Sequence, residues 1–154
     1  NPYLRVLHQT GEEDLETIRN GYSASGLDPQ QVVPFIDDMS GAYEDARLVI
    51  CRAGATTIAE LTVCGRPAIL IPYPYAAGDH QTANARSLEE AGAACLLPQS
   101  EMTASGLAEL VSDLMADPQK LKRMAANGRK MGQPGATQRI LDECELLVAK
   151  RKDG

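Results

Sequence analysis

Three short segments gather the residues able to do chemistry. The first is Cys51-Arg52-Ala53-Gly54-Ala55-Thr56-Thr57-Ile58-Ala59-Glu60, which follows an apolar run and opens a helical pattern. A glycine at a strand-to-helix turn lets a ligand approach the main chain. The helix start adds unpaired N–H groups and the positive end of the helix dipole, which suits a phosphate. The segment has neither the Gly-Lys-Ser/Thr of a P-loop nor a GxGxxG fingerprint. Thr57 and Glu60 also stand at capping-box spacing, in which Glu60 would only tie up a backbone N–H. The second segment, Asp79-His80-Gln81-Thr82-Ala83-Asn84, places amides and acids at a helix start, a set suited to the many donors and acceptors of a sugar. Its plainer reading is Asp79 as an N-cap followed by a solvated first turn. His80 could serve as a general base, but the sequence assigns it no Ser, Cys or carboxylate partner. The third, Pro34-Phe35-Ile36-Asp37-Asp38-Met39, is either a helix start capped by Asp37 or Asp38, or an exposed Phe-Ile pair able to hold a flat ring. His8, at a strand end, reads as structural.

Alternating elements must position these segments. Strands are expected at Tyr3–His8, Gln31–Val33, Leu48–Cys51, Ala68–Ile71 and Ala94–Leu97. Helices are expected from Gly11–Asp14 to Gly21 or Ala24, from Asp38 or Ser40 to Asp45, and over Thr56–Cys64 and His80–Ala91, with three more over Ala104–Met115, Pro118–Asn127 and Ala136–Lys150. The strands are short unbroken apolar runs, as expected when both faces are covered. Strand-helix alternation repeated five times predicts an α/β fold, a Rossmann-like parallel sheet with helices on both faces. Ligands of such sheets bind beyond the carboxyl ends of the strands, where all three segments fall.

The 154 residues, 44% hydrophobic and 23% charged, suit a folded domain and exclude disordered and coiled-coil classes. No apolar run reaches the ~18 residues of a membrane span. The net charge of -6 argues against nucleic acid as a partner. Cys51, Cys64, Cys95 and Cys144 show no CxxC or zinc spacing and read as reduced, packed thiols of a cytoplasmic protein. The sequence opens on Asn1 rather than Met, which leads us to expect a longer parent.

Together and in this order, the three segments resemble the bacterial peptidoglycan N-acetylglucosaminyltransferase family over about residues 8–147. The resemblance implies the GT-B fold. Residues 1–154 would be a partial C-terminal nucleotide-sugar-binding domain, lacking its first strand and helix, with the N-terminal acceptor domain absent. It implies inverting transfer of GlcNAc from UDP-GlcNAc to the C4 hydroxyl of MurNAc in lipid I, giving lipid II. By resemblance, Ile36 meets the uracil through its backbone and Glu60 accepts from the ribose hydroxyls. Arg52 lies beside the nucleotide, Gly54, Ala55, Thr56 and Thr57 bring the helix start to the diphosphate, and His80, Gln81 and Asn84 face the GlcNAc and phosphate. No metal or other cofactor is implied, and the catalytic base would lie in the absent domain. The fragment is expected to be inactive alone, with unpaired sheet edges that invite self-association. The whole protein is expected to be cytoplasmic, peripheral on the inner face of the bacterial inner membrane. An alternative of another class is a non-catalytic UDP-sugar-binding subunit of a split glycosyltransferase. A UDP-GlcNAc 2-epimerase fits poorly, because its catalytic carboxylates are not evident.

Overall fold

The computed structural model describes residues 4–152, with side chains through 148. The chain divides into two compact units, residues 1–45 and 46–154. Each carries its own parallel ladder, so the single sheet expected from the alternation is observed as two ladders, β1-β2 and β3-β4-β5.

In the first unit, β1 (His8–Gln9) pairs in parallel with β2 (Val32–Val33), with His8 opposite Val32 and Gln9 opposite Val33. The crossover between them is α1 (Leu15–Ala24), whose Leu15, Ile18 and Tyr22 recur at helical spacing. Arg19 ties this helix to the ladder: its Nε and Nη2 donate to the Val32 carbonyl at 3.2 and 3.1 Å. The expected first strand is shorter than read. Tyr3 lies outside the described residues, and the Val6 N–H donates to the Gln31 side chain at 3.2 Å rather than to a neighbouring strand. Beyond β1 the chain stays pinned to the exit of β2 by Thr10 N–H to Val33 O (3.1 Å) and Gly11 N–H to Pro34 O (2.9 Å). The helix α2 (Met39–Asp45) follows, and Asp38 Oδ1 accepts from the Gly41 N–H at 2.9 Å, one of the two caps foreseen.

In the second unit, β3 (Val49–Cys51), β4 (Ala68–Leu70) and β5 (Ala94–Leu96) pair in parallel in sequence order. All three residues of β4 are buried, so both of its faces are covered, as its unbroken apolar run requires. One face carries Ile69, packed with Leu114, Leu121 and Met124 from two later helices, α5 (Ala104–Ala116) and α6 (Pro118–Met131). The crossover helices are α3 (Ala55–Cys64) and α4 (His80–Glu90), and α7 (Ala136–Lys152) closes the chain. α3 ends at Gly65 with φ +61, while the Arg66 N–H donates to Leu61 O at 2.9 Å, a left-handed stop that glycine takes without strain. α5 and α6 are capped by Thr103 on the Gly106 N–H (3.0 Å) and Asp117 on the Lys120 N–H (2.8 Å). α6 runs a turn past the expected stop at Asn127. Gly128 does not end the helix. It is buried, and a Cβ placed on it would sit 3.8 Å from Ala93. The break comes at Gly132, where a Cβ would come 2.9 Å from the Thr62 carbonyl oxygen.

Candidate functional site

In the second unit the chemistry-bearing residues collect where β3 and β4 exit at their carboxyl ends. α3 begins at Ala55, with Gly54 as its N-cap, and the first helical hydrogen bond is Ile58 N–H to Gly54 O at 2.9 Å. The capping box is therefore not formed. Thr57 is the third residue of the helix rather than its cap, so Glu60 stands a full turn too late to close one. No side chain caps the start either, so the Ala55, Thr56 and Thr57 N–H groups face outward without protein acceptors among the described residues. Gly54 itself has φ -65 and ψ 150, open to any residue, and a Cβ there would meet only Thr57 Oγ1 at 3.8 Å. The fold does not demand this glycine, whereas a ligand approaching the helix start would.

Glu60 is half-buried on α3 and lies close enough to Cys51 to influence it. Burial, with the Glu60 carboxylate adding to it, pushes the Cys51 thiol up to about 12. Cys51 is thus an inert packing group, as its apolar setting foretold, and burial also raises the Cys95 thiol.

Two side chains, Arg52 and Asn84, brace the two loops against each other, and two more, Gln81 and His80, hold the second loop on its own helix. Arg52 Nη1 donates to the carbonyls of Ile71 (3.2 Å) and Pro72 (3.0 Å), and its guanidinium lies 5.5 Å from the Tyr73 ring centroid. Gln81 Oε1 accepts from the Tyr73 N–H at 2.9 Å. Asn84 Nδ2 donates to Ala53 O at 3.0 Å. His80 Nδ1 lies 2.6 Å from Ala77 O. A carbonyl only accepts, so Nδ1 is the donor of this bond. Gln81, Asn84 and His80, read from sequence as sugar-facing groups, each spend one polar atom on holding this scaffold. Asp79 does not cap α4 with its side chain. It sits at φ 53, in the left-handed region, after Gly78 at φ 61. The non-glycine strain at Asp79 gave no signal in the sequence.

In the first unit, Phe35 is 60% exposed and Ile36 half-buried on the loop after β2. The Ile36 N–H donates to Gln9 Oε1 at 2.9 Å, a partner that sequence reading missed. The parallel pairing of β1 with β2 was the signal: it puts Gln9 beside Val33, three residues before Ile36. His8 bonds the Tyr22 hydroxyl through Nδ1 at 3.2 Å, consistent with its structural reading. Among the described residues no three His, Cys, Asp or Glu side chains gather as a metal would need, and no helix is long and apolar enough to cross a membrane.

A parallel α/β chain with an uncapped, glycine-led helix start at its strand ends has the form of a domain that takes its ligand beyond the carboxyl ends of the strands. The chain belongs to the glycosyltransferase family 28 C-terminal domain family, whose sequence model matches residues 1–140. It is 53% identical over 147 residues to the UDP-N-acetylglucosamine--N-acetylmuramyl-(pentapeptide) pyrophosphoryl-undecaprenol N-acetylglucosamine transferase of Syntrophotalea carbinolica, covering 96% of this chain and 41% of that protein. The enzyme of the same name from Myxococcus xanthus is 50% identical over 146 residues, 94% of this chain and 38% of that protein. The chain thus spans about two-fifths of the length of the curated relatives it matches. The crystal structure of Acinetobacter baumannii MurG superposes with a TM-score of 0.78 at 42% identity, covering 88% of this chain and 39% of that one. A glycotransferase of kitacinnamycin, at 22% identity and a TM-score of 0.62, shares the fold.

Proposed function

We propose that the protein to which this chain belongs transfers GlcNAc from UDP-GlcNAc, with inversion, to the C4 hydroxyl of MurNAc in lipid I, forming lipid II for peptidoglycan. This chain supplies donor binding and is inactive alone. The observation that carries the reading is the uncapped start of α3. Its Ala55, Thr56 and Thr57 N–H groups have no protein acceptor among the described residues and follow a glycine that the fold does not require. As the bond from GlcNAc C1 to the diphosphate breaks, negative charge grows on the leaving UDP. Fixed N–H groups and the helix dipole stabilise that charge in place, with no metal or other cofactor called for. Glu60 accepts from the ribose hydroxyls, Ile36 meets the uracil and Arg52 lies beside the nucleotide. His80, Gln81 and Asn84 line the sugar side with the polar atoms left over from bracing. The acceptor and the base that deprotonates its hydroxyl belong to the rest of the parent protein. That protein works on the cytoplasmic face of the inner membrane, where its lipid-linked acceptor resides, and nucleic acid is not a partner. The place of β3 at the end of the β3-β4-β5 ladder supports self-association of the isolated chain through its backbone edge.

Calorimetric titration of UDP-GlcNAc into the full-length protein tests the reading. The expected result is donor binding that Glu60→Ala weakens, with GlcNAc transfer to a lipid I analogue. Donor binding without transfer by the full-length protein would favour a non-catalytic binding subunit.

A further inference from the structure

The Arg52 guanidinium and the Tyr73 ring close a circuit between the two strand-end loops of the second unit. Arg52 follows β3, and its Nη1 donates to Ile71 O (3.2 Å) and Pro72 O (3.0 Å), the two carbonyls at the exit of β4. The next residue is Tyr73, and the same guanidinium lies over its ring, 5.5 Å from the centroid. The Tyr73 N–H donates in turn to Gln81 Oε1 at 2.9 Å, in the first turn of α4. Tyr73 thus joins Arg52 through its ring and Gln81 through its main chain. Arg52 is exposed, so water competes for its two bonds. The ring covers one face of the guanidinium and is itself met edge-on by the Tyr75 ring at 5.6 Å.

We propose that Tyr73 is a positioning residue for the sugar end of the donor: it clamps Arg52, and the clamp holds the loop that orients the Gln81 amide. Arg52 serves in this clamp and not as a counter-charge to the diphosphate. The inference rests on the donor site proposed above, since it takes Gln81 to face the sugar. The two bonds that Nη1 makes both run to carbonyl oxygens of the second loop. They use both of its hydrogens, so a bidentate grip on phosphate through the two terminal nitrogens is closed to Arg52.

The test is the ratio of dissociation constants for UDP and UDP-GlcNAc on the full-length protein, which isolates what the sugar adds. Tyr73→Phe keeps the ring and should match the wild type. Tyr73→Leu should cut the sugar's share by about two- to fivefold, the worth of an exposed cation–π contact. Arg52→Met should cut it by about tenfold. Arg52→Lys keeps the charge but loses the planar face, and it should fall with methionine. UDP itself should bind every variant as well as it binds the wild type. Adding Tyr73→Leu to Arg52→Met should cost little more than Arg52→Met alone, because the two residues act as a pair. A Tyr73→Leu ratio equal to the wild type's would overturn the clamp. So would an Arg52→Met that weakens UDP as much as UDP-GlcNAc, the mark of a counter-charge. A wild type that binds neither ligand would instead overturn the donor-site reading beneath it.

Discussion

The Asn84 carboxamide donates through Nδ2 to the Ala53 carbonyl oxygen at 3.0 Å, fastening α4 to the turn that launches α3. Asn84 is half-buried there, and Ala53 is wholly buried, so the bond sets where the α3 start points. Asn84→Ala leaves the Ala53 oxygen without this donor. Stability should fall by about 1–2 kcal/mol, and affinity for UDP-GlcNAc should fall with it as the turn loosens. Asn84→Asp replaces the donor with an acceptor facing the Ala53 oxygen and should be worse than alanine. Urea melts and donor titration of both variants check this order. Equal stability for wild type and Asn84→Ala would mean the bond does not hold the turn.

Glu60 carries the second prediction. With α3 starting at Ala55, the capping box that the Thr57–Glu60 spacing suggested is not built. Replacing it by alanine should weaken UDP-GlcNAc binding by about 1.5–3 kcal/mol, the range of a charge-assisted hydrogen bond to a hydroxyl. A 2′-deoxy donor should bind the wild type less well and the variant no worse than the natural donor. If Glu60→Ala binds the natural donor as tightly as wild type, the ribose assignment fails.

Gly54 separates the needs of the fold from those of the ligand. Its φ of -65 is ordinary, and a Cβ meets nothing closer than Thr57 Oγ1 at 3.8 Å. Gly54→Val should therefore fold with a change of less than about 1 kcal/mol while its side chain blocks the way to the α3 N–H groups. Gly132 is the converse. A Cβ there would come 2.9 Å from the Thr62 carbonyl oxygen, so Gly132→Ala must push α6 off α3 and should cost about 1–3 kcal/mol without touching the site. Thermal melts paired with donor titration distinguish the two glycines.

Much of this was legible in the chain. The unbroken apolar runs at Leu48–Cys51 and Ala68–Ile71, each ending in a Gly- or Pro-bearing loop, announced parallel strands. Helix ends were legible where a cap or a left-handed glycine marked them, as at Thr103 and Gly65. The end of α6 was not legible at Gly128, because a glycine in sequence looks the same whether it ends a helix or lets Ala93 come near, and only packing tells the two apart. At the site, residue types were legible and partners were not. Gln9 and Ile36 are 27 residues apart, and Arg52 and Pro72 are 20 apart. Such bonds depend on strand register, which no local pattern encodes. The Thr57–Glu60 spacing suggested a box that the helix, with its N-cap at Gly54 three residues earlier, does not build.

Cys51 gives a prediction in pH. Its thiol is neutral when protonated, and in the unfolded chain it ionises near 8.5–9. In the folded state burial, reinforced by the Glu60 carboxylate, holds the proton up to about 12. Between those values the folded state binds more protons than the unfolded one, so stability falls as pH rises through that window and is independent of this group below it. Tyrosines and lysines also titrate there, but they cancel in a comparison with Cys51→Ala. The stability advantage of wild type over that variant should be constant from pH 6 to 8 and should shrink by about 1 kcal/mol by pH 10. In the same protein at pH 8, iodoacetamide should modify the exposed Cys144 far faster than Cys51. An advantage that stays flat to pH 10, or a Cys51 that alkylates as fast as Cys144, would show that the end of β3 is open to water and that Glu60 does not face a buried thiol.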